Sequence, residues 1–178
     1  FSYLSRIYAF LSFTVRASIQ ILKIKCDLVF ATSTPLTIAV PALIKKKFHK
    51  TNFIFEVRDL WPELPIAMGA LKNKFLIKLA KLLEKKVYKD SSCIIALSEG
   101  MKEGILSHGV NDQRVAVIPN ISDSSKFTEL DIRKKISSKR IIYAGALGHI
   151  NNIKWICNFS DHLFKYDQEI VVQVYGDG

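Results

Sequence analysis

The chain has 178 residues, 49% of them apolar and 24% charged, with no repeat and no low-complexity tract. This excludes a disordered or fibrous protein and leaves one domain with a real core, or parts of two. Its net charge of +10 is one-sided: residues 1–90 carry 16 Lys/Arg against 6 Asp/Glu, whereas residues 91–178 carry 10 of each. The basic half suits an anionic partner, either nucleic acid or an acidic membrane surface, or else serves only solubility.

Residues 1–25 predict an amphipathic helix, with Leu4, Ile7, Leu11, Val15, Ile19 and Leu22 at helical spacing. Its uncharged run, Ile7 to Val15, falls far short of the ~20 residues of a membrane span. The wide apolar arc is expected to be buried in the core, with membrane-surface contact as the alternative. Residues 27–33 read as a short strand. Thr34 and Pro35 then read as the N-cap and first residue of a helix reaching His49, with a kink at Pro41. The run Lys45-Lys46-Lys47 suits that helix's C-terminal dipole.

Residues 53–58 predict a buried strand, with Phe53, Phe55, Val57 and Asp59 on one face and Ile54, Glu56 and Arg58 on the other. Glu56 and Arg58 are expected to pair as a structural ion pair. The strand ends in Asp59, Leu60, Trp61, Pro62 and Glu63, a stiff and oddly polar segment that runs to Gly69. In a parallel α/β sheet the carboxyl ends of the strands are where ligands bind. A carboxylate at Asp59 or Glu63 could orient or deprotonate a hydroxyl, and Trp61 offers a flat face to a sugar or lipid, or else packs.

Residues 72–89 predict a helix with Leu76, Leu79, Ala80, Leu83 and Val87 inside. Lys74, Lys78, Lys81, Lys85 and Lys89 form one line along it with no acidic residue, a membrane-facing row or merely a solvated one. A third strand spans 93–97. Ser98-Glu99-Gly100 opens a short helix that closes at His108-Gly109. A fourth strand, 115–119, ends at Asn120. The polar stretch 121–139 is the plausible domain boundary. A strand over 140–146, a glycine turn Gly145-Ala146-Leu147-Gly148, a helix with Ile153, Ile156 and Leu163, and a strand over 170–175 make a right-handed βαβ unit. Parallel sheets are expected throughout. The glycine turn lies where backbone N–H groups meet phosphate, or where tight packing alone requires glycine. It is neither a dinucleotide fingerprint nor a P-loop.

Cys26, Cys93 and Cys157 suggest buried reduced thiols in a cytosolic protein, and the scattered His49, His108, His149 and His162 suggest no metal site. A strand leading into Gly176-Asp177-Gly178 predicts that more protein follows, so the chain reads as an internal fragment, incomplete at both ends.

EVRDLWPELPIAMGAL, preceded by ATSTPLTIAVPAL and followed by IIALSEGMKEGI, VAVIPN and IIYAGALG, resembles the family-4 retaining glycosyltransferases. The likeness covers residues 27–178 and is closest to the bacterial branch that builds capsular polysaccharide and O-antigen, including amino-sugar transferases. It implies a two-domain B-type glycosyltransferase fold, with an acceptor-side domain over 1–125, a linker over 126–139 and the start of a nucleotide-sugar domain over 140–178. Asp59 and Glu63 would be catalytic, Arg58, Trp61, Glu99 and Asn120 acceptor-binding, and residues 145–148 would face the donor diphosphate. Lys74, Lys78, Lys81 and Lys85 would face the inner leaflet of the plasma membrane, from the cytoplasmic side, near a polyprenyl-diphosphate-linked acceptor. No cofactor is implied beyond a nucleotide-diphosphate sugar, for which UDP is the expectation.

The glycine-rich N-terminal loop and the paired acidic residues of such enzymes fall outside the sequence. Ala146, Asn151 and Asn152 occupy a region where many relatives carry Arg and Lys. Little transferase activity is expected of the fragment alone. The alternatives are a nucleotide-sugar 2-epimerase of the same fold and a non-enzymatic module binding anionic membrane. Nucleic acid is disfavoured because the basic residues lack an interleaved stacking platform.

Overall fold

The computed structural model describes residues 3–123, 125, 139–148 and 151–177, the first five of them by backbone alone. The chain divides into two compact units, 1–122 and 123–178. The expected linker over 126–139 lies outside the described residues except for Lys139.

The first unit runs α1 (Tyr3–Lys23), β1 (Leu28–Thr32), a 3-10 turn (Leu36–Ile38), α2 (Ala39–His49), β2 (Asn52–Val57), α3 (Glu63–Ala67) and α4 (Lys74–Asp90). It continues with β3 (Cys93–Ala96), α5 (Glu99–Leu106) and β4 (Val115–Val117). The strands form one parallel sheet in the order β1-β2-β3-β4. Alternation along β2 turns Phe53, Phe55 and Val57 to the helices, where each is at most 1% exposed. They meet Leu36, Ala39 and Ala42 from the first crossover, Val87 and Tyr88 from α4, and Ile105 from α5 in a single core. Each large side chain so buried contributes about 1.5–3 kcal/mol. The other face of the sheet carries Leu28 and Phe30, both exposed, and Ile54, Glu56 and Ile95, half-buried.

Helix ends follow their sequence signals. The Asn73 side chain accepts from Phe75 N at 2.9 Å and Leu76 N at 3.2 Å, and Ser98 Oγ accepts from Met101 N at 3.3 Å. At the C-terminus of α4, Arg114 Nη2 donates to Tyr88 O at 2.7 Å, to Lys89 O at 3.3 Å and to Ser91 O. Lys45, 3% exposed, donates to Ile24 O at 2.6 Å, and Lys46 donates to Asp90 O. These two lysines therefore tie neighbouring elements together, beyond matching the helix dipole.

Several expectations are corrected. The apolar arc of α1 is not buried: Leu11, Val15 and Ile19 are 52–59% exposed, and Tyr8, Phe10 and Phe13 also face outward. The helix packs on α2 instead through its smaller face, where Ser18 is buried and Thr14 and Ala17 are half-buried. Small residues let the two backbones approach, and Thr14 and Ser18 satisfy their hydroxyls on Phe10 O and Thr14 O. The helix expected from Pro35 to His49 divides into the 3-10 turn and α2, and Pro41 falls in the first turn of α2, where its missing N–H has no intrahelical partner to lose. Thr34 caps no helix; its hydroxyl is used elsewhere. In α4, Leu76 and Leu79 are exposed (44% and 54%), and the buried arc is Glu84, Val87 and Tyr88. Cys26 and Cys93 are only half-buried and Cys157 is exposed; all are free thiols. No described helix is long and apolar enough to cross a membrane.

The second unit holds β5 (Arg140–Ala144), α6 (Ile153–Tyr166) and β6 (Val171–Tyr175), with β5 and β6 parallel and Arg140 opposite Val171. Gly176 is needed there: its φ is +158°, and a Cβ would stand 1.8 Å from Gly145 O.

Candidate active site

Because the strands are parallel and in register, the segments after β1, β2, β3 and β4 emerge on one edge of the sheet. Thr34, Asp59, Glu99 and Asn120 lie in these successive segments. Two of them meet directly: Thr34 Oγ1 donates to Asp59 Oδ2 at 2.8 Å. Thr34 has a φ of +126°, which a β-branched residue seldom adopts. Beside it, Arg58 N donates to Ser33 Oγ and Ser33 N to Glu56 O, both at 2.8 Å, so the β1 and β2 ends are joined by three hydrogen bonds. The Thr34–Pro35 and Trp61–Pro62 peptides are both cis.

The expected Glu56–Arg58 ion pair is absent. Glu56 accepts a hydrogen bond from Thr32 Oγ1, its register partner on β1, and the Arg58 side chain is exposed at the strand end. A cross-strand hydroxyl in register reaches Glu56 without leaving the pleat. Arg58 has passed the last paired residue and turns to solvent. Glu99 and Asn120 are exposed, Glu99 in the first turn of α5. Trp61 is half-buried against the core, with Leu60 beside it. Gly104 of α5 makes room for Leu60: a Cβ there would lie 2.9 Å from Leu60 Cδ1.

Glu63 begins α3 and turns toward His108, expected only as the close of a helix, and toward Glu84, for which no role was expected. Its Oε1 lies 3.7 Å from His108 Nε2, and the same nitrogen lies 3.5 Å from Glu84 Oε2. Glu84 is 1% exposed. Burial and the nearby Glu63 push its carboxyl up to about 7, while His108, the Tyr88 hydroxyl and Lys81 oppose the shift. Burial and Glu84 in turn raise the Tyr88 phenol well above its usual range. The sequence held one signal for this group: Glu84 shares the inward arc of α4 with Ala80 and Val87. Glu84 and His108 line a cavity of about 520 Å³ with Lys81, Lys85, Lys89 and Arg114, between α4 and the chain after α5. That cavity contains none of the strand-end residues.

In the second unit the glycine turn follows β5. Gly145 N donates to Tyr175 O and Leu147 N to Asp177 O, both at 2.9 Å. The N–H groups of Gly145 and Leu147 are thus committed to the neighbouring strand end. Ala146 O accepts from Asn151 Nδ2 at 2.6 Å and from the Tyr143 hydroxyl at 3.0 Å. Lys74, Lys78, Lys81 and Lys85 are all exposed on α4.

Fold and site together define an α/β protein with the Rossmann-like parallel sheets of the B-type glycosyltransferase and epimerase architecture. The chain belongs to the family of the glycosyl transferase 4-like domain, which matches it over residues 3–121. Among solved structures it is similar to the lipopolysaccharide outer core galactosyltransferase WaaB in its apo form, with a TM-score of 0.56 and 13% identity over 96% of this chain and 50% of that one. It is also similar to a UDP-N-acetylglucosamine 2-epimerase, with a TM-score of 0.52 and 13% identity over 92% of this chain and 44% of that one. At such identities the likeness is one of fold. The chain spans about half the length of these structures, 50% and 44%. No curated protein matches it significantly in sequence.

Proposed function

We propose that this chain supplies the acceptor-side domain, and the first βαβ unit of the donor domain, of a retaining glycosyltransferase. The reaction moves a sugar from a nucleotide-diphosphate sugar, with UDP the expected nucleotide, to a polyprenyl-diphosphate-linked saccharide in capsular polysaccharide or O-antigen synthesis. The observation that carries this reading is Asp59 at the carboxyl edge of the sheet, held by Thr34 from the adjacent strand end. A carboxylate fixed there can accept a hydrogen bond from an acceptor hydroxyl and orient it. Arg58, Glu99 and Asn120 lie in segments on the same edge of the sheet, and Trp61 packs the segment against the core. Glu63 stands second to Asp59, because its carboxylate faces His108. In the donor domain, the N–H groups of Ala146 and Gly148 are the ones this reading assigns to the diphosphate. The basic row of α4 and the exposed aromatic residues of α1 support a peripheral place on the inner, anionic face of the plasma membrane.

The test is turnover of the full-length enzyme with a panel of nucleotide sugars and a polyprenyl-diphosphate-linked saccharide. Asp59→Asn should lower kcat by about 100-fold or more with KM for the nucleotide sugar little changed. Turnover within about threefold of wild type, a barrier change below ~1 kcal/mol, would refute the role of Asp59. Conversion of the nucleotide sugar to its 2-epimer without any acceptor would instead identify an epimerase.

A further inference from the structure

Glu63, Glu84 and His108 come from three separate places: the first turn of α3, the middle of α4 and the residue that follows the C-cap of α5. One potential ligand atom from each lies within 4.8 Å of the other two. His108 Nδ1 is 2.9 Å from Gly104 O. A carbonyl only accepts, so Nδ1 carries a hydrogen and Nε2 is the ring atom that faces the carboxylates. Nε2 is 3.5 Å from Glu84 Oε2 and 3.7 Å from Glu63 Oε1. Two carboxylate oxygens and a ring nitrogen therefore converge, with the Tyr88 hydroxyl as a neighbouring donor to Glu84. The second oxygens are also unsatisfied: Glu84 Oε1 and Glu63 Oε2 are buried without a hydrogen-bond partner. Glu84 as a whole is 1% exposed.

A buried carboxylate oxygen without a partner costs about 1–3 kcal/mol, more when charged. A single shared proton relieves only one of these contacts. A divalent ion relieves all three, and bidentate carboxylates would also use the orphaned oxygens. The spacing fits: ligand atoms about 2.0–2.2 Å from a tetrahedral ion stand about 3.4 Å apart. The backbone carbonyl on Nδ1 is the usual outer-sphere support of a ligating imidazole. We propose that Glu63, Glu84 and His108 form a divalent-cation site of the mixed imidazole and carboxylate kind that suits Zn2+ or Mn2+. Two carboxylates offset the charge of the ion, and Lys81 and Lys85, which line the adjoining cavity, set an upper limit on its affinity. A cation here ties α3, and with it the segment that carries Asp59, to α4 and α5.

The test uses the chain as it stands, without substrate. Zn2+ is titrated against a chromophoric chelator while thermal melting is followed. Mn2+ is titrated separately by the loss of its free-ion electron paramagnetic resonance signal, because Mn2+ has little affinity for the free thiols Cys26, Cys93 and Cys157. The expected result is one ion per chain, a melting temperature that rises with ion concentration, and a loss of affinity of at least about tenfold in each of His108→Gln, Glu63→Gln and Glu84→Gln. His49→Gln, in an exposed residue outside the group, should bind as wild type does. Circular dichroism confirms that each variant is folded, and His108→Gln and Glu63→Gln carry the test if Glu84→Gln is not. The proposal is overturned if neither ion binds stoichiometrically, or if binding survives both His108→Gln and Glu63→Gln.

Discussion

The Thr34 hydroxyl donates to Asp59 Oδ2 at 2.8 Å, and so locks the segment after β1 to the segment after β2. If Asp59 orients an acceptor hydroxyl, Thr34 is its positioning residue. Thr34→Val keeps the shape and removes the donor, which costs a charge-assisted hydrogen bond of about 1.5–3 kcal/mol in the site. We expect kcat of the full-length enzyme to fall about tenfold to 100-fold. Thr34→Ser, which keeps the hydroxyl, should restore most of it, whereas a purely steric role would leave Val active and Ser impaired. Steady-state kinetics on the two variants separates the cases.

Glu84 predicts an unusual pH dependence. Its carboxyl is raised from 4.5 to about 7 in the fold, first by burial and then by Glu63. The folded state therefore holds a proton that the unfolded chain releases. The contribution to stability is fullest below pH 4.5, falls as pH rises toward 7, and is flat above that. Glu84→Gln removes this ionisation. In buffer with a chelator, the stability of wild type relative to Glu84→Gln should drop by on the order of 2 kcal/mol between pH 4.5 and 8. Urea melts of both proteins across that range test it. A difference that is constant with pH would mean that Glu84 titrates normally.

Arg114 supports the end of α4. One guanidinium nitrogen bonds the carbonyls of Tyr88, Lys89 and Ser91, groups left without intrahelical partners at a helix C-terminus. A fixed positive charge there also matches the helix dipole. Arg114→Ala should lower stability by about 2 kcal/mol, and Arg114→Lys should recover only part of that, because an ammonium is more strongly hydrated than a guanidinium and loses more on reaching the same carbonyls. The midpoint of urea unfolding is the measurement, with an unchanged m-value confirming two-state behaviour.

Parallel sheet, crossover helices and core were legible because periodicity encodes them. Phe53, Phe55 and Val57 alternate as a strand facing helices must, and Ser98 marks its helix by side-chain chemistry, whereas Asn73, the cap of α4, falls inside the helix expected over 72–89. The errors share a physical cause, which is that periodicity tells an apolar arc from a polar one but not what covers it. In α1 a small-residue face around Ser18 won the contact with α2 over the larger apolar arc. At the site, Asp59 was visible from its place at a strand end, but its partner was not, since Thr34 also fits the pattern of a helix cap. The Glu63, Glu84 and His108 group joins residues 21 and 24 positions apart, on three elements, so no local spacing could reveal it. Only Glu84, a carboxylate on an inward arc, broke the local pattern.

The exposed surface of α4 leads to the last prediction. Lys74, Lys78, Lys81 and Lys85 form one exposed row, and beside it Phe75, Leu79 and Leu82, spaced i, i+4 and i+7, are 72%, 54% and 56% exposed. A solvated lysine row needs no such apolar neighbour. A helix lying in a membrane surface needs both: apolar side chains among the acyl chains and amines among anionic headgroups. The two contributions differ in their response to salt. Each lysine near an anionic surface adds about 1 kcal/mol, screened within a Debye length, whereas burial of Phe75, Leu79 and Leu82 is indifferent to moderate salt. Lys74, Lys78, Lys81 and Lys85 all changed to Glu should therefore weaken sedimentation with phosphatidylserine-containing vesicles by more than about 100-fold at low salt, and leave weak binding to neutral vesicles unchanged. Phe75, Leu79 and Leu82 changed to Ser should weaken binding to both kinds of vesicle and leave the salt dependence intact. If wild type binds neither kind of vesicle, α4 is a solvated helix; if it binds both equally, the lysine row has no membrane role and the basic half of the chain has another purpose.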